Sequence, residues 1–185
     1  GYWRLCWRAV DGYGNTAAWS SEDFMIDLSG PTAPTISSNS STTFWNEGSI
    51  PQIIWSSSTD DFSGVDEYRV RVNGNHVTSI TNDNSTSYAF TPTFSSGLGC
   101  GTNTIQIFAI DEVGNSGNHS SATINFDNCS PNAVNLSQFS GWYSSSNPTI
   151  TFQNPGDQGS GIQSFEYQVG SGLWYQFTTS PGAAG

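Results

Sequence analysis

The sequence repeats itself at a spacing near 100 residues, and this limits what the chain can fold into more than any other feature. Residues 9–15 read Ala-Val-Asp-Gly-Tyr-Gly-Asn, and residues 109–115 read Ala-Ile-Asp-Glu-Val-Gly-Asn, an offset of 100. Phe24, Ile26, Asp27 and Pro31 match Ile124, Phe126, Asp127 and Pro131 at the same offset. A second pair of segments lies 97 residues apart: Asp60, Ser63, Gly64 and Val65 match Asp157, Ser160, Gly161 and Ile162. Tyr68, Val70 and Val72 then match Phe165, Tyr167 and Val169, and upstream Ile53 and Trp55 match Ile150 and Phe152.

Between these marks the chain alternates with period two. Tyr68, Val70 and Val72 fall on one face, with Glu67, Arg69 and Arg71 on the other. Ile105, Ile107 and Ala109 behave likewise, as do Ala122, Ile124 and Phe126. Such short runs, bounded by Gly, Pro, Asn and Ser, predict half-buried strands, and no 3.6-residue period competes with them. About seven strands per period fits an immunoglobulin-like sandwich. Charged residues are scarce at 10%, but 14% aromatic content separates the chain from disordered polar sequences.

The repeated marks resemble those of bacterial immunoglobulin-like and fibronectin type III-like tandem repeats of large surface or extracellular fibre proteins. These carry an Asp-x-x-Ser-Gly-Val/Ile turn before a central strand and an Ala-x-Asp-x-x-Gly-Asn strand end. The resemblance implies an all-β chain of immunoglobulin-like β-sandwich repeats serving as stalk, spacer, adhesin or enzyme appendage. With boundaries near Pro31 and Pro131, residues 31–130 form one complete module. Residues 1–30 supply the last two strands of a partial module, and residues 131–185 the first four or five strands of another. The two partial modules are complementary: together they come close to one period. Residues 1–30 of one copy are therefore expected to complete residues 131–185 of the next, unless covalent tandem repeats do so.

Three cysteines are present. Pairing Ile105 with Ile124 in the hairpin that joins their strands sets Cys100 opposite Cys129, so a cross-strand disulfide is expected, and with it an oxidising compartment. The corresponding register would place Cys6 opposite Asp23 and leave Cys6 without a local partner. The charge balance, 15 acidic residues against four Arg and no Lys, gives a net charge of −11. That excludes nucleic acid and anionic membrane surfaces as partners. No apolar run approaches the ~20 residues of a membrane helix. The chain opens in the middle of a strand pattern, so an export signal is expected elsewhere and the location is extracellular or cell surface.

Carboxylates and Asn gather at turns. Related sandwiches, cadherin-like ones above all, bind calcium at module junctions, which makes Asp11, Asn15, Asp27, Asp111, Asn115 and Asp127 candidate ligands. Asp-x-x-Gly-Asn is also what a tight turn demands on its own. Sequons at Asn39, Asn84, Asn118, Asn128 and Asn135 are candidate glycosylation sites, near the number that chance provides. Trp7, Trp55 and Trp3 fit core positions, while Trp19, Trp45, Trp142 and Trp174 fall near loops or strand ends, where exposed rings could stack on glycans. The two histidines, His76 and His119, sit in turn or edge segments. No nucleophile elbow, zinc-protease helix or phosphate loop is present, so no enzyme and no cofactor beyond calcium is expected. A carbohydrate- or cell-binding adhesin module and a non-catalytic appendage of a secreted enzyme are the alternatives to a structural repeat.

Overall fold

The computed structural model describes residues 1–37, 41–136, 141–142, 144, 146 and 151–178. The alternating runs become strands: β1 (Tyr2–Trp7), β2 (Ser20–Met25), β3 (Ser41–Trp45), β4 (Ile53–Ser56), β5 (Val65–Val72), β6 (Asn75–Thr81), β7 (Ser87–Phe90), β8 (Gly101–Asp111), β9 (Ser120–Phe126), β10 (Ser164–Gln168) and β11 (Trp174–Thr178). Seven of them, β3 to β9, build an immunoglobulin-like sandwich within residues 31–130. One sheet has the order β3-β9-β8-β5-β6; the other pairs β4 with β7. Ile36 bridges to Trp55 on the free edge of β4, while β3 runs parallel to β9. The first segment of the module thus touches both sheets.

The inward residues of the two sheets form the core. Trp55, Tyr68, Val70, Val72, Ile105, Ile107, Ala109 and Phe126 are fully buried, as their alternation predicts. Trp55 meets Tyr68 edge-on at 5.9 Å, and Tyr68 lies 4.6 Å from Tyr88. Such ring pairs add to the apolar burial they already provide.

The flanking segments form two-stranded sheets, β1 with β2 and β10 with β11. Both copy pieces of the complete module at the level of register. Tyr2 opposes Met25 and Leu5 opposes Glu22, as Thr102 opposes Asn125 and Ile105 opposes Ala122. Phe165 opposes Phe177, as Tyr68 opposes Ile80 97 residues earlier. The hairpin β1–β2 is therefore the counterpart of β8–β9, and β10–β11 of β5–β6.

Two expectations are corrected. The hairpin register is two residues tighter than the one read from the cysteine spacing: Ile105 opposes Ala122, not Ile124, and Cys6 opposes Ser21, not Asp23. A shift of two keeps every side chain on its face, so the facing pattern could not distinguish the registers. Trp3 and Trp7 are not core residues; they are 59% and 46% exposed, because β1–β2 carries no second sheet among the described residues. After Pro131, the described residues hold the two strands β10 and β11 of the four or five expected there. Ile150 and Pro181 lie outside the described residues. Phe152 is in no strand, yet its ring meets Phe165 edge-on at 4.7 Å, much as Trp55 meets Tyr68.

Candidate functional site

The two repeated motifs meet at the junction between residues 1–30 and the complete module. Asp60 opens the Asp-x-x-Ser-Gly-Val turn, and its Oδ2 accepts the N–H of Phe62 and of Gly64, both at 3.0 Å. Gly64 takes φ 86°, a conformation that costs a side-chain-bearing residue about 1 kcal/mol or more. This turn aims Ser63 at Asp27, just past β2. Asp27 Oδ2 accepts Ser63 N–H at 3.1 Å and Ser63 Oγ–H at 2.7 Å, while Oδ1 accepts Ser29 N–H and Oγ–H at 3.1 and 3.0 Å. Bonds from the Ser63 hydroxyl first, then from Ser29, hold the Asp27 carboxyl far below the usual carboxylate range.

The same latch recurs at the next boundary. Asp127 Oδ2 accepts Ser160 N–H at 2.7 Å and Oγ–H at 2.6 Å, and these bonds, the hydroxyl's first, lower its pKa likewise. Asp157 Oδ2 accepts the N–H of Gly159 and of Gly161, both at 2.9 Å. A backbone tie accompanies each latch: Thr32 N–H to the Thr59 carbonyl at 2.8 Å, and Asn132 N–H to the Gly156 carbonyl at 3.1 Å.

The Asp-x-x-Gly-Asn motif supplies the other wall of the first junction. Asp111 Oδ1 accepts the N–H of Val113 and Asn115 at 3.0 and 2.7 Å, and Oδ2 accepts Asn115 Nδ2–H at 2.8 Å. Asn115 Nδ2 also donates to the carbonyls of Asp27 and Ser29, at 3.2 and 3.4 Å. The linker approaches so closely that a Cβ on Gly30 would collide with the Ser116 carbonyl. On the hairpin, Asp11 builds the identical turn with Tyr13 and Asn15, and these bonds, the Asn15 amide first, lower the Asp11 carboxyl.

Three carboxylates converge here: Asp27, Asp60 and Asp111 each place an oxygen within 4.8 Å of the others, and Asp111 is buried. An all-oxygen donor set of this kind fits a hard divalent cation. Of the residues expected to bind calcium, the fold brings together Asp27 and Asp111, with Asn115 tying their segments. Asp60 joins them although only its turn role was read from the sequence. Its place as first residue of a recurring turn facing a recurring Asp was the available signal. Asp11 and Asn15 lie on the β1–β2 hairpin, and Asp127 belongs with Asp157 at the second boundary, so none of these three is part of the trio.

Cys100 and Cys129 form a disulfide with Cα atoms 6.2 Å apart, and Cys6 is free and exposed. Both paired cysteines stand just outside β8 and β9. Buried Asn103 fixes the approach, since its carboxamide bonds Gly99 N–H and the carbonyls of Gly99 and Gly101 at 2.7–3.0 Å. Asn84, Asn118, Asn128 and Asn135 are exposed; Asn39 lies outside the described residues. Trp19 stacks against the Arg8 guanidinium at 4.7 Å, and Trp142 is fully exposed. An open apolar groove of about 390 Å³, lined by Trp3, Ile26, Leu28 and Phe62 among others, runs beside the junction.

No family model matches the chain, and no curated protein matches it. Among solved structures, it is similar to the fibronectin(III)-like modules of Clostridium thermocellum CbhA, at 15% identity and TM-score 0.43 over 68% of this chain and 63% of that one. The spore cortex lytic enzyme SleM of Clostridium perfringens gives 17% identity and TM-score 0.37 over 52% of this chain and 28% of that one. A Ca2+-stabilised, ice-binding adhesin of an Antarctic bacterium gives 16% identity and TM-score 0.35, over 72% and 34%. The chain spans less than two thirds of the length of each. The fold assignment rests on the sheet topology.

Proposed function

We propose that this chain is a structural repeat unit of an extracellular filament, pilus-like fibre or surface stalk, extended head to tail. The hairpin β1–β2 of one copy completes the sheet begun by β10–β11 of the next. The carrying observation is that β1–β2 keeps the register of β8–β9, and β10–β11 keeps that of β5–β6 up to the bulge after Val70, so each is folded for a partner of the other's kind. An extracellular location is supported by the disulfide, which belongs to oxidising compartments. Among the described residues no helix is long and apolar enough to cross a membrane. Sedimentation and electron microscopy of the purified chain test the reading. Concentration-dependent oligomers or fibres are expected, and a monodisperse 19.8 kDa monomer at high concentration would overturn it.

The acidic trio favours one addition: a calcium ion held by Asp27, Asp60 and Asp111 would stiffen the junction by tying the linker to two turns of the module. In the head-to-tail reading, Asp127 and Asp157 receive their third carboxylate from Asp11 of the incoming hairpin. That junction seats its turn less closely, because Gly30 and Gly117 of the first junction are replaced by Ser130 and Ala17. The adhesin and enzyme-appendage readings stay as alternatives. Trp142 and Trp174 and four of the sequons are exposed, which is compatible with glycan contacts.

A further inference from the structure

We infer that the joining surface is the edge of β10 against the edge of β1 from a second copy of this chain, antiparallel, with Gln168 opposite Cys6 and Glu166 opposite Arg8. This rests on the head-to-tail reading above and specifies its register. In the complete module β5 pairs with β8: Tyr68 opposes Ala109, Arg69 opposes Phe108, Val70 opposes Ile107, Arg71 opposes Gln106 and Val72 opposes Ile105. Since β10 is the counterpart of β5 at an offset of 97, and β1 of β8 at 100, these pairs translate directly. Phe165 meets Ala9, Glu166 meets Arg8, Tyr167 meets Trp7, Gln168 meets Cys6 and Val169 meets Leu5.

Two features of the chain fit this pairing. The first is size. A large ring faces a small side chain where Phe165 meets Ala9, as Tyr68 faces Ala109 in the buried core. The second is charge. Among the described residues neither Arg8 nor Glu166 has an ion-pair partner; the two ion pairs there are Arg4–Asp23 and Arg69–Glu67. The translated register sets these two opposite each other on the outer face, where a cross-strand pair of opposite charge is favourable.

Cys6 supplies the probe, being the free thiol of the chain. Directly opposed residues of an antiparallel pair have Cα atoms about 4.5–5.5 Å apart, within reach of a disulfide. Under mild oxidation the full chain carrying Gln168→Cys should form a ladder of covalent multimers. Mass spectrometry should then find a disulfide-linked peptide pair joining Cys6 to the substituted position. Cys6→Ser should abolish the ladder, and Val169→Cys, one residue away on the opposite face, should not produce it. If the chain associates but Glu166→Cys links to Cys6 in place of Gln168→Cys, the register is overturned while head-to-tail assembly stands. If no variant links and sedimentation finds only monomer, both fall. Independently, Arg8→Glu should weaken self-association about 3- to 10-fold, and adding Glu166→Arg should restore it. Loss without restoration would refute the pairing.

Discussion

At the residue scale, the junction turns on single carboxylates that each collect several donors. Asp27 and Asp127 take bonds from a turn serine of the following segment and from the backbone beside them. Their folded-state pKa values lie below that of an unfolded carboxylate, about 3.9. Such a group contributes stability that is present above the unfolded value and is lost as pH falls through the folded one. Asp27→Asn should therefore lower the melting temperature by a few degrees at pH 5–8. The gap from the wild type should close below about pH 4, where the wild-type carboxylate begins to lose its advantage over the unfolded chain. Calorimetry across pH decides it: a gap unchanged at about pH 2 would show that the charge is not what holds the latch. The sequence announced that Asp27, Ser63 and Asp60 matter, because each recurs. It did not announce that Ser63 serves Asp27, because a bond between residues 36 apart depends on how the linker enters the module.

At the scale of elements, hairpins carry the identity of the chain. Each of the two motifs ends or begins a hairpin whose register recurs in the second copy, apart from the bulge that β5–β6 carries after Val70, and the inward rows of β5, β8 and β9 were legible from alternation alone. Register was not, since a slip of two leaves every face unchanged. The disulfide nevertheless forms, because both cysteines sit beyond the strand ends, where Asn103 shapes the loop rather than the ladder. It closes a span of 29 residues around β8 and β9. Cys100→Ser with Cys129→Ser should cost about 2–4 kcal/mol of unfolding free energy. Urea titration would measure it, and a change under about 0.5 kcal/mol would mean that the hairpin is already closed in the unfolded ensemble.

At the scale of the molecule, each boundary is tied by an Asp–Ser latch between the linker and the segment that follows it. If the trio of Asp27, Asp60 and Asp111 holds calcium, chelator-treated protein should bind the ion in calorimetric titration and melt higher on its addition. Asp60→Asn should remove both effects, whereas no heat and no shift in the wild type would end that reading. The sequence by itself determined that the chain is all-β, where its core faces lie, and which turns recur, because period-two alternation and turn chemistry are local properties. The tertiary structure alone decided that the two recurring turns face one linker carboxylate, that Asp60 completes an acidic trio, and that Trp3 and Trp7 lie bare. These depend on which segments meet across long stretches of chain and on whether a second sheet is there to cover a face, and no local pattern encodes either.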